Sequence, residues 1–194
     1  MTHTEPAHAT PILVIGEALI DAVTTRAGET REHPGGSPMN VAIGLGRLGD
    51  HVTLLTSLGA DTSGDIIRAH LAASHVALAA PEVHAPATSI AHAHVGADGA
   101  AEYTFDITWD IPAVTLPARI VHTGSLATAL EPGRTVVQEL IRRYRPHALI
   151  TYDPNIRPSL METPESDRSG IEEILSTRAR REALGGGCRL PLPR

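Results

Sequence analysis

The stretch His33-Pro34-Gly35-Gly36-Ser37-Pro38-Met39-Asn40 carries residue types suited to gripping an oxygen-rich ligand. Two adjacent glycines can adopt positive φ and let a ligand approach the backbone closely. Ser37-Pro38 then supplies a cap-type residue followed by the proline favoured at a first helical position. The unpaired N–H groups at such a helix end attract anions and hydroxyl groups. One turn in, Asn40 can both donate and accept hydrogen bonds. Asp21 lies just beyond the apolar run 11–16, in the region where open α/β sheets bind ligands, and its carboxylate could accept two hydroxyl hydrogens. Asp153-Pro154-Asn155-Ile156-Arg157-Pro158 sets acid, amide and guanidinium at alternate positions, and Arg157 could hold phosphate in a fork of donors. Taken singly, each has a plainer reading: a tight strand-to-helix turn, a solvated loop aspartate, a surface loop between prolines.

Those groups need a scaffold, and the chain between them alternates strand and helix. Pro11-Ile12-Leu13-Val14-Ile15-Gly16 predicts a strand buried on both faces of a parallel sheet, with residues 17–21 as the loop beyond it. A helix opening at Ser37-Pro38, a strand over 51–57 and a helix over 66–73 capped by Asp61 or Ser63 complete a βαβ rhythm. The pattern then changes. Residues 88–95 and 101–107 read as a hairpin around the turn Gly96-Ala97-Asp98-Gly99. With the polar excursion 23–32 it is expected to form a small separate sheet, a natural lid. Parallel order resumes with a strand over 118–125. An amphipathic helix over 132–145 follows, with Val136, Val137, Leu140 and Ile141 on one face, and a strand over 147–152 comes last.

Composition narrows the function. The 194 residues allow one domain with a sizeable core, filled by aliphatic side chains because aromatics are only 3%. A net charge of −6 argues against nucleic acid as a partner. All 16 basic residues are arginine, so phosphate contacts must come from arginine, backbone amides or a metal. No secretory signal and no apolar run of membrane-spanning length is present, so a cytoplasmic protein with no membrane partner is expected. The single cysteine, Cys188, excludes an internal disulfide and a cysteine cage. His92 and His94 share one strand face, but no third ligand stands near them, and no metal site is expected. Gly44-Leu45-Gly46 falls inside a helix rather than after the first strand, which removes the dinucleotide-binding reading.

Together these motifs resemble the amino-terminal part of the ribokinase-type (pfkB-like) sugar kinases, on the fructokinase and 2-keto-3-deoxygluconate kinase side. The resemblance rests on Ile15 to Asp21, the Pro34-Gly35-Gly36-Ser37-Pro38-Met39-Asn40-Val41-Ala42 signature, Arg47-Leu48-Gly49, Leu58 to Gly64, Tyr103-Thr104-Phe105 and Asp153 to Pro158. It implies an α/β fold: a Rossmann-like (ribokinase-like) parallel sheet with helices on both faces and a small β-sheet lid, the carboxyl-terminal half missing. Residues 1–10 would be a flexible terminus, 11–177 the partial domain with lid segments near 22–33 and 87–110, and 178–194 an aberrant or disordered tail. The implied activity is ATP-dependent phosphorylation of a sugar or sugar-acid hydroxyl with Mg²⁺. Asp21, Gly35, Gly36 and Asn40 would hold the sugar, Tyr103 would close over it, and Asn155 and Arg157 would face the phosphate. Pairing of two copies through their lids is also implied.

The sequence departs from that pattern in one respect. The family's second signature, a Gly-Ala-Gly-Asp type turn bearing the catalytic base, has no counterpart among these residues. General-base catalysis needs a base within about 3 Å of the reacting hydroxyl. Negligible turnover is therefore expected, with a non-catalytic sugar-binding module or a non-functional fragment as the alternative. If Arg180 and Arg181 are encoded by CGN codons, reading one base later permits a continuation similar to the family's, and the gene sequence decides that point.

Overall fold

The computed structural model describes residues 10–80, 85–95, 101–155 and Glu172. The tail 178–194, the hairpin turn 96–99 and Arg157 lie outside the described residues.

A five-stranded, wholly parallel sheet forms the centre. Its strands are β1 (Ile12–Ile15), β4 (Val52–Leu55), β5 (Val76–Leu78), β8 (Ile120–Gly124) and β9 (Leu149–Asp153), in the order β5-β4-β1-β8-β9. The all-apolar β1 lies in the middle and is buried along its length, as a strand covered on both faces must be. Its alternate side chains serve two cores. Ile12 and Val14 pack with Met39, Ala42 and Ile43 of α1 (Ser37–Arg47) and with Ile67 and Leu71 of α2 (Thr62–Ala72). Leu13 and Ile15 face the other way, onto Val137, Leu140 and Ile141 of α4 (Gly133–Tyr144) and onto Trp109. Two polar atoms inside this second layer are satisfied. Trp109 Nε1 donates to Ala127 O at 3.0 Å, and Tyr144 Oη donates to Leu116 O at 2.6 Å while accepting from Leu116 N at 2.8 Å.

A second, four-stranded sheet has the order β3-β2-β6-β7, from β2 (Leu19–Thr24), β3 (Thr30–Gly35), β6 (Ile90–Val95) and β7 (Ala101–Asp106). The β2–β3 and β6–β7 pairs are antiparallel, and β2–β6 is parallel. Asp21 is therefore not in a loop after β1. It sits inside β2, because the chain leaves the central sheet at Gly16 and three residues later has entered the second one. Asp61 caps α2, accepting from Gly64 N at 2.7 Å. At α1 the cap is Gly36, with φ 113°, and Ser37 is already helical. Ser37 does not cap because its hydroxyl has a charged acceptor elsewhere, Asp153 Oδ2 at 3.0 Å. Two short elements carry no sequence period: β5, of three residues, and α3 (Ser125–Ala129), of five residues that are all buried.

Candidate functional site

A cavity of about 1000 Å³ opens between the two sheets, at the edge where β8 and β9 end and α1 begins. Strand alternation decides which side chains of the second sheet reach it. Leu19, Asp21 and Val23 of β2 line it, as do Ala91 and Ala93 of β6 and Tyr103 and Phe105 of β7. The register sets Ala91 opposite Phe105 and Ala93 opposite Tyr103, so a small residue faces an aromatic one in each pair. The two rings stack, with centroids 6.2 Å apart and planes 14° apart, and make an apolar wall beside the polar one. Flat apolar surface next to hydroxyl-binding groups suits a sugar, which has C–H faces and O–H edges.

On the polar side, Asp21 faces His33 across the β2–β3 ladder, and both line the cavity. Gly36 and Asn40 enter from the start of α1, Glu17 from the crossing between the sheets, and Ser125 and Asn155 from the ends of β8 and β9. Gly35 does not line the cavity. A Cβ on it would lie 2.0 Å from Asp21 Oδ2 and 2.7 Å from Asp21 Cγ, so its lack of a side chain is what lets the Asp21 carboxylate settle there. A Cβ on Gly36 would lie 2.5 Å from Glu17 O, on a backbone conformation that side chains rarely adopt. The glycine pair thus holds the first crossing, the carboxylate and the helix start close together.

The exit of β9 is fixed by hydrogen bonds rather than packing. Asp153 Oδ2 accepts from the Ser37 hydroxyl, Asp153 Oδ1 accepts from Asn155 N at 3.1 Å, and Asn155 O accepts from the Ser125 hydroxyl at 3.0 Å. On β8, His122 Nδ1 lies 3.0 Å from Thr151 Oγ1, and its Nε2 is buried with no hydrogen-bond partner. Burial pushes the His122 pKa down, and the nearby Asp153 charge opposes this only in part.

Of the residues expected to form the site, Asp21, Gly36, Asn40, Tyr103 and Asn155 come to one cavity, and Gly35 stands behind Asp21. His33 and Ser37, from the same stretch as Gly36 and Asn40, also line it, as do Glu17, Phe105 and Ser125, to none of which the sequence assigned a ligand contact. His92 projects from the side of β6 opposite Ala91 and Ala93, where its Nε2 lies 3.3 Å from Asp106 Oδ2. Among the described residues no group of three or more His, Cys, Asp or Glu side chains gathers in a way that could hold a metal, and no helix is long and apolar enough to cross a membrane.

The family model for pfkB family carbohydrate kinases matches residues 9–176. The chain is 28% identical over 175 residues to a fructokinase of Klebsiella pneumoniae, covering 85% of this chain and 57% of the relative. It is 32% identical over 182 residues to fructokinase-1 of Zea mays, covering 84% and 56%. The crystal structure of fructokinase with bound ATP from Xylella fastidiosa superposes with a TM-score of 0.75 at 26% identity, over 87% of this chain and 59% of that one. The chain spans somewhat more than half the length of the curated relatives it matches.

Proposed function

The chain belongs to the pfkB family of carbohydrate kinases, on its fructokinase side, and we propose that its cavity binds a neutral sugar, with fructose the first candidate, while the 194-residue chain by itself turns over negligibly. The observation that carries the reading is the convergence of Asp21, Gly36, Asn40 and Tyr103 on one cavity from segments far apart in sequence. In this reading the Asp21 carboxylate accepts hydrogen bonds from two sugar hydroxyls. Asn40 and the backbone at Gly36 bond the neighbouring ones. Gly35 gives Asp21 its place, and the Tyr103-Phe105 wall covers the C–H face and excludes water.

The family's phosphoryl donor is ATP with Mg²⁺, which supplies the transferred group and neutralises its charge. On the phosphate side the described residues offer Asn155; among them no arginine lines the cavity, and the Ser37 and Ser125 hydroxyls at that edge donate to internal acceptors, while Arg157 lies outside the described residues. The described residues alone do not fit the nucleotide and its metal. No counterpart of the family's base-bearing turn occurs in the sequence.

Isothermal titration with fructose, a thermal melt and an ATP-dependent phosphorylation assay test this together. The expected result is saturable binding that raises the melting temperature, at least tenfold weaker binding in Asp21→Ala, and no turnover. Absence of binding by a cooperatively melting chain refutes the sugar reading, and robust turnover refutes the inactivity. A melt without a transition favours the fragment alternative. Pairing of two copies through the second sheet belongs to the same proposal: Tyr103 is 58% exposed there, and sedimentation at increasing concentration tests it. A cytoplasmic location goes with this reading, and cell fractionation tests it.

A further inference from the structure

Among the described residues that line the cavity, His33 has the one basic side chain, and it is exposed there with no hydrogen bond or ion pair to another described residue. Its backbone presents it. Pro34 follows, and the ring of a proline holds the residue before it in the extended region. β3 is an edge strand, which tolerates that proline, and its register sets His33 directly opposite Asp21 on β2. Residues opposed in this way share one face of the sheet, with Cβ atoms about 5 Å apart. Asp21 nevertheless leans along β3 towards Gly35, where a Cβ would lie 2.0 Å from its Oδ2. His33 and Gly35 are two residues apart on one face of β3, so the carboxylate takes one place on that strip and the imidazole the next. The two groups differ in what they can do. An ionised carboxylate only accepts hydrogen bonds, whereas one nitrogen of a neutral imidazole donates and the other accepts. Side by side they match two neighbouring hydroxyls, one giving its hydrogen to Asp21 and the next receiving one from His33.

We propose that His33 is a specificity-determining residue of the sugar site: its ring N–H donates to the hydroxyl beside the one that Asp21 holds, so that the pair selects a sugar carrying both. The inference rests on the sugar-binding reading above and adds a donor to it. A site that hydrogen-bonds a particular hydroxyl discriminates against the analogue lacking it. Because His33 is exposed, water takes the place of a missing hydroxyl, and the discrimination amounts to one ordinary hydrogen bond rather than a buried, unmatched group.

Fructose and its monodeoxy analogues, each lacking one hydroxyl, are titrated into the wild type, His33→Ala, His33→Gln and His33→Phe. His33→Ala is expected to bind fructose about fivefold more weakly, the equivalent of one ordinary hydrogen bond. For the analogue that lacks the hydroxyl met by His33, wild type and His33→Ala are expected to agree within about twofold, while the other analogues keep the gap. Such a pattern separates a contact with one hydroxyl from a general loosening of the site. His33→Gln, whose amide also donates, is expected to recover fructose affinity. His33→Phe, which keeps a flat ring without the N–H, is expected to stay weak. Equal fructose affinity in wild type and His33→Ala overturns the proposal. So does a gap of one size for fructose and every analogue, or full recovery in His33→Phe. All three leave the sugar reading intact, since the wild type binds fructose in each. Failure of a cooperatively melting wild type to bind fructose refutes the sugar reading itself, and this inference falls with it.

Discussion

Replacing Asp61 by alanine removes more than a helix cap. One oxygen of its carboxylate accepts from Gly64 N at 2.7 Å and from the Thr88 hydroxyl at 2.7 Å, and the other accepts from Thr88 N at 2.8 Å. Thr88 in turn accepts from Gly59 N at 2.9 Å, so the start of α2 is fastened to the segment that leads into β6. Loss of the cap costs about 1 kcal/mol. Loss of two bonds from Thr88 to an ionised acceptor adds about 1.5 kcal/mol or more even after the Thr88 hydroxyl turns to water. A total of about 3 kcal/mol lowers the melting temperature of a domain this size by roughly 6 to 12 °C. Asp61→Asn is expected to fall between: its amide oxygen still caps Gly64, but its NH₂ group meets the Thr88 N–H donor to donor. The Asp61 pKa supplies an independent check. Burial raises it, but the Thr88 side-chain and backbone bonds, the Gly64 bond and the Arg68 charge outweigh burial and hold it below the usual value. A carboxylate with a depressed folded pKa contributes stability that is full above its unfolded value near 4 and is lost as pH falls through the folded value. Melts of wild type and Asp61→Ala from pH 7 downward should therefore converge below about pH 4. A melting temperature for Asp61→Ala within 2 °C of wild type at pH 7, or a gap that persists unchanged in acid, refutes the account.

Gly35→Ala should drive its new methyl into Asp21, whose oxygen lies 2.0 Å from the Cβ position, and weaken fructose binding by about tenfold or more in a titration. Gly44 is the contrasting case, since a Cβ there meets nothing within 4 Å on a helical backbone; Gly44→Ala should raise stability by about 0.5 to 1 kcal/mol in urea unfolding and leave sugar affinity unchanged. His122, with its pKa lowered by burial, binds fewer protons folded than unfolded just below its ordinary value of 6.5, so stability should fall as pH drops from about 6.5 towards the lowered value. His122→Gln should flatten that part of a melting profile.

Elements with a strong local period were legible. The apolar run of β1 and the Val137, Leu140 and Ile141 face of α4 lie where their spacing puts them. The sheet order was not, because β1 pairs with β4 and with β8, a strand more than 100 residues away, and parallel pairing across such distances leaves no trace in a short window. α3 escaped for a different reason: with all five residues buried it has no polar face to betray a period. In the site, glycine and proline marked the start of α1, but that His33 and Glu17 face the cavity was not legible. His33 becomes visible only once β2 and β3 are paired and the register sets it opposite Asp21. The partnership of Ser37 with Asp153 joins residues from opposite ends of the described chain, and a cap-like serine before a proline looks the same whether its hydroxyl turns inward to its own helix or outward to a distant strand.

Asp21 belongs to one sheet, and Gly36 and Asn40 open a helix packed on the other, with Gly16, Glu17 and Ala18 as the span between β1 and β2. Any tilt of one sheet against the other therefore changes the gap between carboxylate and carboxamide at once. On the proposed sugar-binding reading, a guest cannot be freed by swinging the second sheet aside while its grip stays intact, since Asp21 travels with that sheet.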